Sequence, residues 1–473
     1  MGTIYDKLKR YSDSDYYGFH MPGHKRNPGL TEASLPYEID ITEIEGFDDL
    51  HHAKGMLKEA QEKAAEVYHA EETHFLVNGS TAGILSAVCG VTEKGDSILV
   101  ARNCHKSVYH AIYMKELKPV YLYPRFDEEK QLNTEISVQD VRDALRRHPQ
   151  IRAVVIVSPT YDGVVSDVAA IAEAVHEMDL PLIVDEAHGA HFGFHPYFPE
   201  NSNVKGADIV IHSLHKTLPS LTQTALLHMN GNIVKRERVR MYLDMLQTSS
   251  PSYVLMASID ACIHMLKEKR EELFDPYVER LKQAREALQK LKRLQLIRTD
   301  HYDPSKLVLS VKDTDMTGQQ LYQTFLAEYH LQMEMYAGSY VLAMTAAGDT
   351  DAGFMRLVRA AEEIDAKAGY NSEATDRLPH GGRLPELAQI YTSAEASVLS
   401  ETEKKQRKKL PWEESAGYVS AEYAYLYPPG IPLIVPGEKI DEDAKELLLW
   451  YKRQGFSVEG LKEEGYIEVW TNG

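Results

Sequence analysis

The residues of this chain best placed to do chemistry close short apolar runs. Lys216 ends "ADIVIHSLHK", just after Ser213 and His215, and Asp185 ends "PLIVD" one strand–connection–strand step earlier. A lysine in a desolvated site loses basicity and becomes a nucleophile, and a buried carboxylate needs a cationic partner. In "VNGSTAGI", Gly79, Ser80 and Thr81 precede an apolar helical run. That start offers unsatisfied backbone N–H groups and two hydroxyls, the makings of a phosphate cradle. Taken alone it reads first as ordinary N-capping. In "RNCHKSVYHA", His105 opens the next helical run, where an imidazole can stack on a flat heteroaromatic ring. By itself it is a polar loop residue.

His188 follows Asp185 by three residues, and with His191, His195 and Glu186 it raises the rival of a zinc site. The His-x-x-His and His-x-x-x-His spacings surround glycines instead of lying on a regular helix, so no metal is expected. A phosphate cradle, a ring-stacking histidine, an acid for a ring nitrogen and a reactive lysine together specify pyridoxal 5'-phosphate, although no one of them does so.

The elements that must position these residues alternate. Between about residues 55 and 230, strand-like runs ("DSILVA", "PVYLYP", "RAVVIVSP", "PLIVDEA", "ADIVIHS") are separated by helical ones such as "SVQDVRDALRRH" and "DVAAIAEAVHEMD". This is the pattern of crossover units and a mostly parallel α/β sheet, in which ligands bind beyond the carboxyl ends of the strands. Residues 260–295 read as a long charged helix bridging domains. The expected division is an N-terminal segment 1–54, a large α/β domain 55–295, a small α/β domain 296–370 and a C-terminal domain 371–473. "ETEKKQRKKLPWEE" is read as a solvated helix.

Composition sets outer bounds. The chain has 473 residues and a net charge of −19, which argues against non-specific nucleic-acid binding and is compatible with a cationic small substrate. No run of about 18 apolar residues marks a membrane span. Three cysteines (Cys89, Cys104 and Cys262) without close pairing suit a reducing cytosol, and "MGTIYDKLKRYSDSDYY" lacks the apolar core of a signal peptide. A cytoplasmic location is expected.

The ordered motifs "HMPGHK", "NGSTAG", "NCHKS", "SPTYDGV", "VDEAHGAH", "SLHKTLPSLTQ", "QTSSPSY" and "YPPGIPLIVPGE" resemble the Orn/Lys/Arg decarboxylases over nearly the whole chain. These are fold-type-I pyridoxal-phosphate enzymes that decarboxylate basic amino acids. The resemblance implies that Lys216 forms the Schiff base with the cofactor, that Asp185 pairs with its ring nitrogen and that His105 stacks on the ring. It further implies that Ser80, Thr81, Ser213 and His215 serve the phosphate, with His188 near the ring. Thr248 would reach the phosphate from a neighbouring subunit, giving a homodimer or tetramer with active sites at the interface. The family's larger members carry an additional N-terminal domain, and this chain is similar to the shorter form. "HMPGHK", a turn around Pro22-Gly23 by its residues, would lie near the active-site entrance.

The expected reaction is loss of CO₂ from arginine, lysine or ornithine, with a lean to arginine and a place in polyamine metabolism. Lys216 or His105 would return the α-proton. For the substrate's distal cation Glu422 is the candidate carboxylate, and Tyr161 and Asp162 of "SPTYDGV" either line the pocket or form an Asp-Gly turn. Two alternatives stand beside this reading. One is an aminotransferase, which would need an arginine such as Arg356 for the α-carboxylate; the other is a cofactor-binding protein without turnover.

Overall fold

The computed structural model describes residues 2–14, 22, 35–370, 379, 383–426, 430–453 and 458–471. The "HMPGHK" segment apart from Pro22, and residues 427–429 of the Pro-rich stretch, lie outside the described residues. The chain divides into two compact units, Met1–Val91 with Asp179–Pro276, and Thr92–Met178 with Tyr277–Gly473. Each is built from two separate stretches of chain.

Seven strands form the α/β framework: β1 Glu72–Leu76, β2 Ser97–Ala101, β3 Lys118–Leu122, β4 Ile151–Val157, β5 Leu182–Asp185, β6 Ile209–Ser213 and β7 Ala225–Met229. Its helices include α1 Met56–Tyr68, α2 Gly79–Val91, α3 Lys106–Met114, α4 Val138–Arg147 and α5 Val168–His176. The first unit orders its strands β1-β7-β6-β5, and the second β4-β2-β3. The pairs β5–β6, β2–β3 and β2–β4 are parallel, whereas β6–β7 and β7–β1 are antiparallel. The sheet is therefore mostly parallel, as the alternation of strands and helices predicts. The exception follows from chain length. Only a one-turn helix and a short loop separate β6 from β7, too little for a crossover connection, so the chain returns antiparallel.

β5, β6 and β7 are buried along their whole length, which is why they read as mainly apolar runs, with His212 and His228 as buried polar exceptions. Helix α2 lies tightly on this sheet because it carries glycine where it touches. A Cβ at Gly83 would meet Leu76 Cδ1 at 2.6 Å.

In the second unit the strands Gln295–Leu296, Lys306–Ser310, Tyr340–Met344 and Met335–Tyr336 form a small antiparallel sheet. A further five-stranded sheet lies between Ala388 and Thr471, with a core including Trp412, Leu433, Ile434, Leu448 and Val469. The bridging stretch is the helix Tyr253–Leu288, broken in backbone angle at Lys269 and containing Pro276. One expectation is corrected. "ETEKKQRKKLPWEE" is α-helical only at its start and a short 3-10 turn at its end, and Gln406–Pro411 between them is a strand paired with Tyr466–Thr471. Cross-strand pairing overrides the helical propensity of the lysines, whose exposed charges cover a sheet edge. Among the described residues no helix is long and apolar enough to cross a membrane.

Candidate active site

β5 and β6 run parallel with Asp185 opposite Ile211, so both strands deliver their last residues to one edge. Asp185 is 3% exposed, and one of its oxygens accepts the Ala187 N–H at 3.1 Å. Burial pushes its carboxyl above the ordinary aspartate range, while the Lys216 ammonium and the Ala187 amide pull it back. An apolar strand end that bears such a carboxylate suits a cationic ring nitrogen as partner.

Lys216 lies in the one-turn helix Leu214–Thr217 that follows β6. Its Nζ is 3.0 Å from His188 Nε2. On either side of it in sequence are two hydroxyls, Ser213 Oγ and Thr217 Oγ1, both buried and without a hydrogen-bond partner. A polar group left so costs about 1–3 kcal/mol, and two of them around a lysine fit an acceptor-rich ligand such as a phosphate. Thr217 was not singled out in the sequence; its place directly after Lys216 is the one signal it gave. His215 Nδ1 is 3.0 Å from the Thr224 carbonyl. A carbonyl only accepts, so Nδ1 carries the hydrogen and Nε2 of the neutral ring presents a lone pair. Burial lowers the basicity of this imidazole, and Lys216 adds to the effect.

Leu76 and Ser213 pair with the same residue, Ala225, from opposite sides. Helix α2, which begins at Gly79 just past β1, therefore opens at the same edge as Ser213. Gly79 has φ +73°, a left-handed conformation that favours glycine. Ser80 is half-buried and Thr81 exposed, both in the first turn, where N–H groups lack intrahelical partners. The Thr248 N–H donates to Asn78 Oδ1 at 3.2 Å, so this residue stands beside the start of α2 of its own chain. The first unit thus brings together Lys216, Asp185, His188, Ser213 and His215, with Ser80, Thr81 and Thr248 at the neighbouring helix start.

The remaining candidates belong to the second unit. His105 caps α3, its Nδ1 accepting the Ser107 N–H at 3.2 Å. Gly430 supports it: the Lys106 N–H donates to the Gly430 carbonyl at 3.2 Å, and a Cβ on Gly430 would lie 3.7 Å from the imidazole. Tyr161 hydrogen-bonds Glu334, and the Asp162 carboxylate accepts the Tyr340 hydroxyl at 2.7 Å. Burial raises the Asp162 carboxyl, opposed by that hydrogen bond. The Asp-Gly turn is present, closed by Gly163 N–H to Thr160 O at 3.0 Å.

Two further residues named from the sequence have these surroundings. Glu422 is buried, with its oxygens accepting the Lys462 N–H at 3.2 Å and the Glu468 N–H at 2.8 Å. These two hydrogen bonds tie segments of the C-terminal sheet region to it. Arg356 is exposed on the helix Asp351–Lys367 and is not built into a site. Sequence reasoning also missed a buried ion pair, Arg102 Nη2 to Glu438 Oε2 at 3.1 Å. Its partners lie too far apart in the chain for any local motif.

Known proteins resemble this chain over most of its length. Residues 3–327 match the family model "Orn/Lys/Arg decarboxylase, major domain", and residues 384–455 match "Orn/Lys/Arg decarboxylase, C-terminal domain". An arginine decarboxylase of Bacillus anthracis is 33% identical across 97% of this chain and 95% of its own length. One from Bacillus subtilis (strain 168) is 32% identical across 97% and 95%. The Francisella novicida lysine decarboxylase LdcF superposes with a TM-score of 0.83 at 20% identity, covering 100% of this chain and 81% of that one, a likeness of fold.

The chain belongs to the Orn/Lys/Arg decarboxylase family. It has the fold-type-I architecture and is a pyridoxal-phosphate-dependent decarboxylase of basic amino acids, a carbon–carbon lyase.

Proposed function

We propose that the amino acid decarboxylated is arginine, yielding agmatine for polyamine synthesis in the cytoplasm. The observation that carries this reading is the near-full-length identity to arginine decarboxylases. Amine and CO₂ formation from arginine, lysine and ornithine, measured side by side, tests it. A kcat/KM for lysine or ornithine above that for arginine overturns it.

In this proposal Lys216 holds the cofactor covalently, and Ser80, Thr81, Ser213, His215, Thr217 and Thr248 hold its phosphate. Bound pyridoxal phosphate supplies an electron-poor ring that takes up the electron pair left at the α-carbon when CO₂ departs. Asp185 does its part by burial. A carboxylate with its charge in a low-dielectric setting holds a proton on a facing ring nitrogen far more firmly than it would in water. His188, 3.0 Å from Lys216 Nζ, is placed to take the proton that would otherwise keep the amine from acting as a nucleophile. His105 supplies a flat face, and Lys216 or His105 returns the proton to the α-carbon. Tyr161 and Asp162 border the substrate.

Thr248 of one copy serves the phosphate of the other, so the working unit is a homodimer or a tetramer with sites at the subunit interface. The division into segment 1–54, domains 55–295 and 296–370 and C-terminal domain 371–473 is carried as part of this proposal. The small antiparallel sheet of Gln295 to Met344 and the C-terminal sheets support its last two boundaries.

A further inference from the structure

The backbone of Thr248 is held from both sides by its own chain. Thr248 lies just past the helix Arg236–Leu246 and is exposed. Its N–H donates to Asn78 Oδ1 at 3.2 Å, and its carbonyl is 2.8 Å from His51 Nε2. A carbonyl only accepts, so Nε2 carries a hydrogen. His51 Nδ1 is 3.2 Å from Asp244 Oδ1, in the last turn of the same helix, so the ring bridges the helix end and the residue beyond it. Beside Thr248, the Gln247 side chain accepts the Val77 N–H at 2.9 Å and donates to the Phe75 carbonyl at 3.4 Å. Gln247 and Thr248 are thus tied to the stretch Phe75–Asn78, which runs directly into the helix start Gly79–Thr81.

His51 is a fixed donor because its own segment is held. The Asp48 carboxylate accepts the N–H groups of Lys54, Gly55 and Leu57 at 3.1, 2.8 and 3.1 Å, which fastens this turn to the start of α1. The Asp48 carbonyl accepts the hydroxyl of the buried Tyr253, and Phe47 packs edge-on to that ring at 5.7 Å. The His51 side chain is 10% exposed. With the peptide planes on both sides of Thr248 fixed, χ1 is the freedom its side chain has left. The Ser250 N–H donates to Thr248 Oγ1 at 3.2 Å, which selects a rotamer and occupies one lone pair. Among the described residues no acceptor takes the hydroxyl hydrogen.

We infer that His51 and Asn78 are positioning residues for the cofactor's phosphate: they fix the peptide planes flanking Thr248 and so hold its hydroxyl as a ready donor to a phosphate oxygen. An exposed threonine on a loose loop would have to be ordered on binding, and that ordering would offset most of what its hydrogen bond contributes. Here the fold has already ordered it. Asn78 directly precedes Gly79, so one hydrogen bond joins the helix start that serves a copy's own phosphate to the threonine that serves its neighbour's. The inference rests on the assignment of Thr248 to the phosphate and extends it to residues that touch neither cofactor nor substrate.

The test is absorbance titration of the cofactor-stripped full chain with pyridoxal phosphate and with pyridoxal, which can form the same link to lysine but has no phosphate. His51→Leu is expected to weaken pyridoxal phosphate binding about tenfold, the scale of one hydrogen bond, and to leave pyridoxal binding unchanged. His51→Gln, whose amide can donate to the same carbonyl, restores the affinity. In a Thr248→Val background His51→Leu adds nothing, since the hydroxyl it positions is gone. Native pyridoxal phosphate affinity in His51→Leu, an equal loss for both ligands, or a further loss on top of Thr248→Val overturns the inference even where Thr248→Val alone weakens binding. Native affinity in Thr248→Val alone removes Thr248 from the phosphate, and the inference falls with it. If His51→Leu does not fold, Asn78→Ala releases the other peptide plane, and the same comparison with Thr248→Val decides.

Discussion

The Arg102–Glu438 pair can be tested quantitatively because its two halves cannot respond alike to losing each other. Both side chains are 1% exposed. Arg102 also donates to the Pro432 carbonyl at 2.6 Å, the Leu433 carbonyl at 3.2 Å and Tyr109 Oη at 3.1 Å, and Glu438 accepts the Val435 N–H at 2.8 Å. Removing one partner of a buried pair typically costs about 3–5 kcal/mol, since the survivor is left as an uncompensated charge. In Glu438→Gln the guanidinium cannot shed its proton, though it keeps its two carbonyls. The loss should lie at the low end, about 3 kcal/mol, and be flat with pH.

Arg102→Met behaves differently. Burial already raises the Glu438 carboxyl, and Arg102 opposes it; without the arginine it rises further. The folded variant then binds a proton that the unfolded chain has lost, so its stability falls as pH rises. Relative to the native protein, the penalty grows by about 1.4 kcal/mol per pH unit above the point where native Glu438 ionises, and levels off at the variant's own pKa. Urea midpoints followed by tryptophan fluorescence at pH 5.5 and 8 separate the cases. Equal losses for Arg102→Met at the two pH values, or less than about 1 kcal/mol for Glu438→Gln, would refute the reasoning. The double variant Arg102→Met/Glu438→Leu should recover most of the stability, because an apolar pair leaves no buried charge. The pair also matters to the site. Arg102 is three residues from His105, and the segment it grips begins at the glycine that supports that imidazole.

Other outcomes are expected on the same grounds. Lys216→Ala should abolish the visible absorbance of lysine-bound cofactor; an unchanged spectrum would remove Lys216 from that role. Asp185→Ala should retain some cofactor yet lose turnover by roughly three to four decades, the scale of deleting an orienting acid, and near-native kcat would count against it. Cofactor binding by the apoprotein should take up a proton at His215. Its Nε2 can donate to a phosphate only when the ring is protonated, and burial holds the empty-site pKa low, so affinity falls as pH rises; calorimetry in buffers of differing ionisation heat should show the uptake, and His215→Gln should lose it. Glu422→Gln should leave KM for arginine unchanged while costing about 1–3 kcal/mol of stability, whereas a raised KM with a native melting temperature would return Glu422 to the substrate.

What the sequence discloses here is decided by how local each signal is. Asp185 was legible because a parallel strand buried on both faces leaves an unbroken apolar run, and the first polar residue after it closes the strand; Ser213 and Lys216 follow a run that His212 already interrupts, and were read from the strand end they share. Gly79 to Thr81 were legible because a helix start is local too. The partners of Glu422 were not legible because "VSAEYAYLYPPG" does not disclose that Lys462 and Glu468 will bring their amides to it. The buried contacts of Thr73 with His228, His228 with His212 and His212 with Glu186 exist only through register. They need β7 to turn back antiparallel between β6 and β1, and that reversal is set by the shortness of a connection, which periodicity does not report. Arg102 and Glu438 meet for the same non-local reason.

The polar groups buried around β5 and β6 have a common thermodynamic sense. Asp185 with a raised carboxyl and Ser213 and Thr217 without partners each lower the stability of the cofactor-free fold. None would persist if stability alone decided the sequence. Each becomes favourable once a ligand offers what it lacks: a cationic nitrogen for the carboxylate and phosphate oxygens for the hydroxyls. Binding free energy is thus drawn from costs already present in the empty protein. For Asp185 that cost is largest above its raised pKa, where the apoprotein must hold it ionised, and vanishes below the ordinary aspartate value, where folded and unfolded chains are both protonated. Its contribution to the stability gained on loading the cofactor must therefore grow from acid to neutral pH, in the opposite sense to that of His215.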